Sequence, residues 1–335
     1  MQAAIYGLAG TEMRREERAF FREARPAGYI LFRRNIESRE QLRALTDSLR
    51  ALEGHDDVPI LIDQEGGRVA RMRPPVWPAF PSGEAFDKLY QLAPSSAIEA
   101  ARVNARALGL MLHEVGVTID CLPMLDVRQP GATDIVGDRA LGSDPMQVSA
   151  LGRAILDGLA SAGVLGVIKH IPGHGRALVD SHHELPHVDA SDDELAIDLE
   201  PFERLRDAAM GMTSHLLYTQ WDAHRPASQS PIVIHDIIRE RIGFDGFLMS
   251  DDIGMEALAG DHGERAAACV AAGCDVALHC DGDMANMVSV ANAVGALSPE
   301  AEARLARAMA MRFTPDDEMD FAAAVSKRDA LLALV

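Results

Sequence analysis

Short apolar runs recur along the chain, and most of the intervals between them are long enough to hold a helix. Runs of this length are typical of strands buried on both faces, as in parallel sheets. Eight candidate strands follow this pattern: Ala4–Leu8, Gly28–Phe32, Val58–Ile62, Val117–Leu122, Gly166–Ile168, Gly211–Tyr218, Gly246–Met249 and Cys274–Leu278. The pattern therefore predicts a strand–helix unit that is repeated over most of the chain.

Amphipathic segments lie between these runs, and each is long enough for a helix: Ser38–Leu52, Ser96–Val115, Met146–Ala162, Ser191–Met210 and Gly263–Ala272. The repeat predicts an α/β fold, a single-domain (β/α)8 barrel of the TIM type with some irregularity at its first strands. A doubly wound parallel sheet is the competing architecture. We expect residues 1–335 to form one barrel domain, with residues 298–335 as closing helices.

Composition and charge narrow the functional classes. With 48% hydrophobic residues, a chain of 335 residues can bury a full core. The formal net charge of -19 and the pI near 5.0 argue against nucleic acid or an anionic membrane as partner, because both require clustered Lys and Arg. The stretch Met1–Gly10 lacks the positive start of a signal peptide, and no apolar run approaches the ~20 residues of a membrane span. We therefore expect a cytoplasmic protein, and we favour a monomer.

The four cysteines, Cys121, Cys269, Cys274 and Cys280, fit reduced core thiols better than a disulfide framework. The last three have the spacing C-x4-C-x5-C and lack the paired C-x2-C that is typical of zinc sites. We therefore assign no metal and no cofactor.

A barrel of this type collects its active site at the C-terminal ends of its strands. Residues with ionisable side chains that can take part in chemistry follow the predicted strands repeatedly, which favours an enzyme. They are Asp63, Asp126, Lys169 and His170, His215, and the pair Asp251 and Asp252.

The segment Lys169–Pro186 combines a strand end with a loop rich in glycine and histidine. Asp180 and His182 are two residues apart, so in an extended segment both side chains point to the same side. A carboxylate beside an imidazole raises the imidazole pKa and orients the ring, which suits a proton shuttle near neutral pH. We expect this segment to be a catalytic loop.

Two adjacent carboxylates, Asp251 and Asp252, end the seventh predicted strand. Neighbouring residues on a strand point in opposite directions, so only one of the two is expected to face the cavity. We expect the other to cap a helix over Ile253–Ala259. Periodicity alone does not choose between them as nucleophile.

Six motifs occur in an order that resembles a known family: GYILFRRNIES, IDQEGGRVARM, KHIPGHG, DSHHELP, PASQS and GFDGFLMSDDIGME. Together they closely resemble the β-N-acetylglucosaminidases of glycoside hydrolase family 3, of the bacterial NagZ type. The resemblance covers most of the chain, and six ordered motifs are far more specific than any one alone. The segments SHLLYTQWD and LHCDGD depart from the commonest family forms, and both could line the aglycone side.

The resemblance implies a retaining enzyme that removes terminal N-acetylglucosamine from cytoplasmic peptidoglycan fragments, so that an amino-sugar oligosaccharide or muropeptide is the expected partner. It implies that Asp251 is the nucleophile, that His182 is the acid/base and that Asp180 orients His182. The implied substrate contacts are Asp63, Arg71, Arg139, Lys169 and His170, with His174 in a supporting role. We interpret His183, His215 and His279 as packing or surface residues.

Three alternatives stay open. A metal-dependent hydrolase on the same fold is one, although the chain has no H-E-x-x-H motif and no H-x-H after the first strand. A phosphorylase is another, because a histidine acid/base is compatible with phosphate as the acceptor. A non-catalytic sugar-binding protein is the third, and the intact set of Asp180, His182 and Asp251 argues against it.

Overall fold

The computed structural model describes residues 1–131, 134–181, 184–312, 314–315 and 319–335. Within these ranges, ten strands occur in chain order: β1 (Gln2–Gly7), β2 (Pro26–Leu31), β3 (Ile60–Ile62), β4 (Ile119–Asp120), β5 (Leu165–Ile171), β6 (His187–Val188), β7 (Met210–Thr213), β8 (Leu217–Tyr218), β9 (Phe247–Asp252) and β10 (Val276–His279). Eight of them form a closed barrel in the order β1-β2-β3-β4-β5-β7-β9-β10, and all neighbouring pairs are parallel. Strands β6 and β8 form a separate two-stranded sheet.

The helices of the described residues surround the barrel: α1 (Arg15–Ala24), α2 (Arg39–Glu53), α3 (Gly83–Leu92), α4 (Pro94–Glu114), α5 (Pro145–Ser161), α6 (Asp192–Arg204), α7 (His262–Ala272), α8 (Met284–Ala293), α9 (Pro299–Met309) and α10 (Phe321–Leu332). A π-helical segment occupies Val233–Arg241. Several helices begin at a side-chain cap, as when Ser38 accepts a hydrogen bond from the Gln41 N–H at the start of α2.

Alternate residues of each barrel strand face two different cores. On β1, Ile5 belongs to a cluster that fills the barrel, whereas Tyr6 belongs to the layer between the strands and the helices. The same alternation separates Ile30 from Leu31 on β2. Since successive side chains of a strand point to opposite faces, the continuous apolar runs of the sequence are explained by burial on both sides.

Helix α9 closes the end of the barrel opposite the strand C-termini. Its residues Ala301, Leu305 and Ala308 pack in the interior cluster with Ala27 and Leu165, which lie near the starts of β2 and β5. Helix α10 packs against α4 on the outside. The bottom of the barrel is therefore filled, and the opposite end is left for a ligand.

The predicted (β/α)8 barrel is confirmed, and closure of the sheet excludes the doubly wound alternative. Each predicted strand overlaps a barrel strand, although β3 and β4 contain only three and two residues. The predicted helix over Ile253–Ala259 is wrong, because this stretch forms turns and the next helix begins at His262. Asp261, rather than Asp252, caps that helix by accepting the Glu264 N–H.

The sequence pattern also missed three helices and overextended one. The periodicity did not reveal α1, α3 or α8, and the helix predicted over Ser191–Met210 ends at Arg204. All four cysteine side chains are buried in the core, as expected. Among the helices that the structure describes, none has both the length and the apolar character required to cross a bilayer.

Candidate active site

A pocket of about 240 Å³ opens at the C-terminal ends of the barrel strands. This volume is below the ~300–1,000 Å³ typical of sites for drug-sized ligands, and it suits a single sugar ring. The strand ends position its charged side chains. Asp63 directly follows β3, Lys169 and His170 lie near the end of β5, and Asp251 and Asp252 end β9.

The structure brings together most of the residues predicted for the site. Those that line the pocket are Asp63, Arg71, Arg139, Lys169, His170, His174 and Asp251. Asp180 is half-buried in the neighbouring loop and is not among the lining residues. His182 and His183 lie outside the described residues. Ser181, which directly precedes His182, is buried and borders the pocket, so the predicted catalytic loop does reach the site.

Lys169 links two carboxylates across the mouth of the barrel. Its Nζ lies 2.9 Å from Asp63 Oδ1 and 2.7 Å from Glu65 Oε1, and its side chain is only 2% exposed. Burial lowers the Lys169 pKa, but Asp63 and Glu65 outweigh this effect and the pKa rises above its ordinary value. For both carboxyls, burial raises the pKa, but the neighbouring cations lower it by a larger amount. Each pKa therefore ends below its usual range. The network is therefore fully ionised at neutral pH.

Two arginines extend this network along the pocket wall. Arg139 donates from Nε and Nη2 to Glu65 in a two-point ion pair at 2.9 and 2.7 Å. Arg71 donates to Asp63 Oδ2 at 3.0 Å, and its guanidinium lies 5.1 Å from the centre of the Phe32 ring. Arg71 Nε is buried and forms no hydrogen bond with any described residue. Hence one donor of Arg71 has no hydrogen-bond partner among the described residues.

Asp126 forms hydrogen bonds with both histidines that line the pocket, His170 and His174. Its Oδ2 lies 2.7 Å from His170 Nδ1, and its Oδ1 accepts the backbone N–H groups of His170 and His174. Burial raises the Asp126 pKa, but His170 and His174 together outweigh this effect, and the net pKa is lowered. In contrast, burial lowers the His174 pKa to about 4, so this imidazole is neutral at physiological pH. Its Nε2 lies 3.3 Å from Ser181 Oγ.

The surroundings shift the pKa values of the two adjacent carboxyl groups at the end of β9 in opposite directions. Burial raises the Asp251 pKa, but His170, His215 and the Asp252 N–H outweigh it, and the net pKa is lowered. For Asp252, burial and the charge of Asp251 both raise the pKa, and the Gly254 N–H only partly offsets them. Both side chains line the pocket, which corrects the expectation that only one would face it. Their pKa values are pushed apart, so Asp251 is the better ionised nucleophile.

The sequence assigns no specific role to Glu65 or Asp126. Both come shortly after predicted strands, and Glu65 lies in the motif IDQEGGRVARM, but their partners are far away in the sequence. His215, for which the sequence predicts a packing role, is fully buried, with Nδ1 2.7 Å from Ser228 Oγ and Nε2 3.1 Å from the Asp252 carbonyl oxygen. Outside the pocket, His262, His279 and Asp281 are a group of described residues whose ligand atoms could hold a metal ion.

A small pocket of this kind can bind a polyhydroxylated ring and bring it against an ionised carboxylate. Charged donors and acceptors line one wall, and they form the strong hydrogen bonds that sugar hydroxyls accept and donate. Asp251 lies on the wall formed by β9 with a lowered pKa. Fold and site together define a class, the TIM-barrel enzymes that act on carbohydrates.

Comparison with known proteins narrows the class to a family. The chain matches the Glycosyl hydrolase family 3 N terminal domain over residues 2–311. It is 36% identical to the beta-hexosaminidase of Methylococcus capsulatus over 339 aligned positions, covering 98% of this chain and 94% of that protein. It is 39% identical to the beta-hexosaminidase of Bordetella pertussis over 287 positions, covering 83% and 80%.

A solved structure of a protein from the same group is also similar to this chain. NagZ from Neisseria gonorrhoeae in complex with N-trifluoroacetyl-D-glucosamine matches with a TM-score of 0.85 at 30% identity, covering 99% of this chain and 96% of that one. The chain therefore belongs to glycoside hydrolase family 3, and it is a glycosidase of the β-N-acetylhexosaminidase type. The resemblance found in the motifs is confirmed.

Proposed function

We propose that the protein is a retaining exo-β-N-acetylglucosaminidase of cell-wall recycling in the cytoplasm. Its substrates would be peptidoglycan fragments, GlcNAc-1,6-anhydroMurNAc and its peptides, from which it releases terminal N-acetylglucosamine. The observation that carries the proposal is the ionised Asp251 in a pocket of about 240 Å³, which suits one ring. The beta-hexosaminidase relatives, and the N-acylated glucosamine bound by the gonococcal NagZ, support this choice of sugar.

In the first step, an Asp251 carboxylate oxygen attacks the anomeric carbon, and the bond from that carbon to the leaving oxygen breaks. His182 donates a proton to the leaving oxygen. In the second step, His182 removes a proton from water, whose oxygen attacks the anomeric carbon and releases Asp251. Two inversions give net retention of configuration.

His182 is proposed as the acid/base on its position in the D-S-H motif, with Asp180 as its orienting partner. Support comes from Ser181, which borders the pocket and whose carbonyl accepts the Ala257 N–H at 3.3 Å. This contact ties the loop to the turn that follows β9, next to Asp251. An imidazole also has an ordinary pKa near the working pH, which suits a group that both donates and accepts protons.

Sugar recognition is proposed for the ion network that lines the same pocket as Asp251. Asp63 offers carboxylate oxygens as acceptors, whereas Lys169, Arg71 and Arg139 offer donors. Because these residues already hold one another by ion pairs, the wall is set before the substrate arrives. A preorganised site loses less conformational entropy on binding.

The experiment follows the product by proton NMR during cleavage of a β-N-acetylglucosaminide and of a GlcNAc-1,6-anhydroMurNAc peptide. The proposal predicts that the β-anomer of N-acetylglucosamine forms first from both substrates, and that the muropeptide is cleaved. First formation of the α-anomer would exclude the retaining route. In phosphate buffer, N-acetylglucosamine 1-phosphate as the product would establish the phosphorylase instead.

A further inference from the structure

His279 is a buried histidine whose ring nitrogens form no hydrogen bonds among the described residues. It ends β10, is 0% exposed and packs edge-on against Tyr6, with ring centroids 5.9 Å apart. Neither Nδ1 nor Nε2 forms a hydrogen bond with any residue that the structure describes. A buried polar atom without a partner costs free energy and is rare in folded proteins, so this ring calls for an explanation.

Two further ligand-bearing side chains lie beside His279. His262 is the first residue of α7, and its ring is edge-on to His279 with centroids 5.3 Å apart. Asp281 follows β10, with Oδ1 3.2 Å from His279 Nε2 and Oδ2 3.7 Å from His262 Nδ1. His262 Nδ1 is also buried without a hydrogen-bond partner in the described part of the chain. Potential ligand atoms of all three residues lie within 4.8 Å of one another.

We propose that His262, His279 and Asp281 bind a divalent transition-metal ion, with Zn²⁺ as the ion that this donor set favours. Two imidazoles and one carboxylate are zinc ligands, whereas Ca²⁺ and Mg²⁺ prefer oxygen donors alone. With Zn–N and Zn–O distances of about 2.0–2.2 Å, ligand atoms of a tetrahedral site are roughly 3.4 Å apart. The two measured separations, 3.2 and 3.7 Å, lie on either side of this value.

Hydrogen bonds from outside the cluster already hold the carboxylate. Asp281 Oδ1 accepts the Asp283 N–H at 2.6 Å, and Oδ2 accepts from the Asn286 side chain at 2.7 Å. Metal-binding carboxylates are commonly oriented by such partners. Both oxygens of the carboxylate are therefore oriented before an ion binds.

The simpler reading of the cluster is an ion pair between protonated histidines and Asp281. In such a pair an imidazole N–H would point at a carboxylate oxygen. Here His279 Nε2 is 3.2 Å from Oδ1 but is not aligned for a hydrogen bond. The nearby Arg34 also supplies positive charge to Asp281 without protonated histidines. The unaligned nitrogens favour a metal.

The proposed site is separate from the sugar pocket. None of its three residues belongs to the pocket lining, although Leu278 and Cys280 on either side of His279 do. The ion would join the start of α7 to the end of β10, and thus strengthen the wall behind β9. Its expected contribution is to stability, because a ligand that binds only the folded state stabilises that state.

The test uses the full chain, treated with chelator and then titrated with ZnCl₂ by calorimetry. We expect one Zn²⁺ per chain, and we expect His262→Ala and Asp281→Asn each to weaken the Kd at least about 10-fold. His262 is on the surface side of the cluster, so His262→Ala should fold. His235→Ala is the matched control, because His235 is exposed beside Asp236 and lies in no such cluster of described residues.

Two further readouts accompany the titration. Zinc should raise the Tm of the wild type and of His235→Ala but not of His262→Ala, and Co²⁺ should give a d–d absorption band that is lost in the same variant. The proposal is overturned if the wild type binds no zinc, or if His262→Ala and Asp281→Asn bind it like the wild type. Loss of zinc in Asp251→Asn alone would equally overturn it, by placing the ion in the sugar pocket.

Discussion

His170 Nδ1 lies 2.7 Å from Asp126 Oδ2, and this contact leaves Nε2 as the ring nitrogen of His170 that is available to a ligand. Asp126 is completely buried and comes from the segment after β4, whereas His170 lies on β5. The buried carboxylate thereby sets the orientation of a pocket side chain on a neighbouring strand.

This relationship predicts the effect of Asp126→Asn on sugar binding. The amide oxygen can still accept backbone N–H groups, but the charged bond to His170 is lost, which is worth about 1.5–3 kcal/mol. We expect kcat/KM for a chromogenic N-acetylglucosaminide to fall roughly 10- to 100-fold. Asp207→Asn is the control, since Asp207 forms an exposed pair with Arg153. Equal activity of the two variants would show that Asp126 does not position His170.

Lys169→Met should destabilise the protein strongly. Removing the ammonium leaves Asp63 and Glu65 partly unpaired in a buried site, and breaking a buried ion pair costs about 3–5 kcal/mol. Lys88→Met should change the free energy of unfolding by less than about 0.5 kcal/mol, because Lys88 forms an exposed helical pair with Glu84. Denaturant unfolding of both variants measures the difference. Similar values for the two would contradict the interpretation of Lys169 as a buried link.

His174 predicts a pH dependence of stability. Burial lowers its pKa from 6.5 to about 4 in the folded state. Between these values the unfolded chain binds more protons, so stability decreases as the pH falls from about 6.5 to 4. The loss attributable to His174 is on the order of 3 kcal/mol.

Urea unfolding of the wild type and of His174→Gln across this window isolates the effect. Glutamine does not titrate and keeps a polar group near Ser181. The wild-type curve should fall more steeply with decreasing pH than that of His174→Gln. Parallel curves would mean that His174 titrates normally.

His182→Ala should slow cleavage in proportion to the need for acid catalysis. With a sugar leaving group we expect a loss of about 10²–10⁴-fold in rate. With 2,4-dinitrophenolate, which leaves without a proton, the loss in the glycosylation step should be much smaller. His187→Ala is the control, because His187 is exposed on β6. An equal loss for both leaving groups would remove His182 from the role of acid.

The barrel could be predicted from the sequence because strands such as Gly28–Phe32 carry apolar residues on both faces, which is a strong local signal. Positions such as Lys169 and Asp251 followed from the rule that strand ends bear the site. The turn at Ile253–Ala259 was missed because an acidic pair before apolar residues imitates a helix start, while Gly254 and Gly260 favour turns.

The pairings within the site could not be read from the sequence. Glu65 contacts Lys169 and Arg139, which are distant along the chain and become neighbours only when the barrel closes. The opposite pKa shifts of Asp251 and Asp252 likewise depend on His170, His215 and burial rather than on local sequence. Motif resemblance supplied the choice of Asp251, and the electrostatics of the fold give it a physical reason.

The central claim is that Asp251 forms a covalent bond to the sugar. Mass spectrometry after incubation with a 5-fluoro β-N-acetylglucosaminide, followed by peptide mapping, tests it most directly. We predict one sugar adduct per chain on Asp251, its absence in Asp251→Ala, and its persistence in Asp252→Asn. An adduct on Asp252 or elsewhere, or turnover of Asp251→Ala at the wild-type rate, would contradict the account.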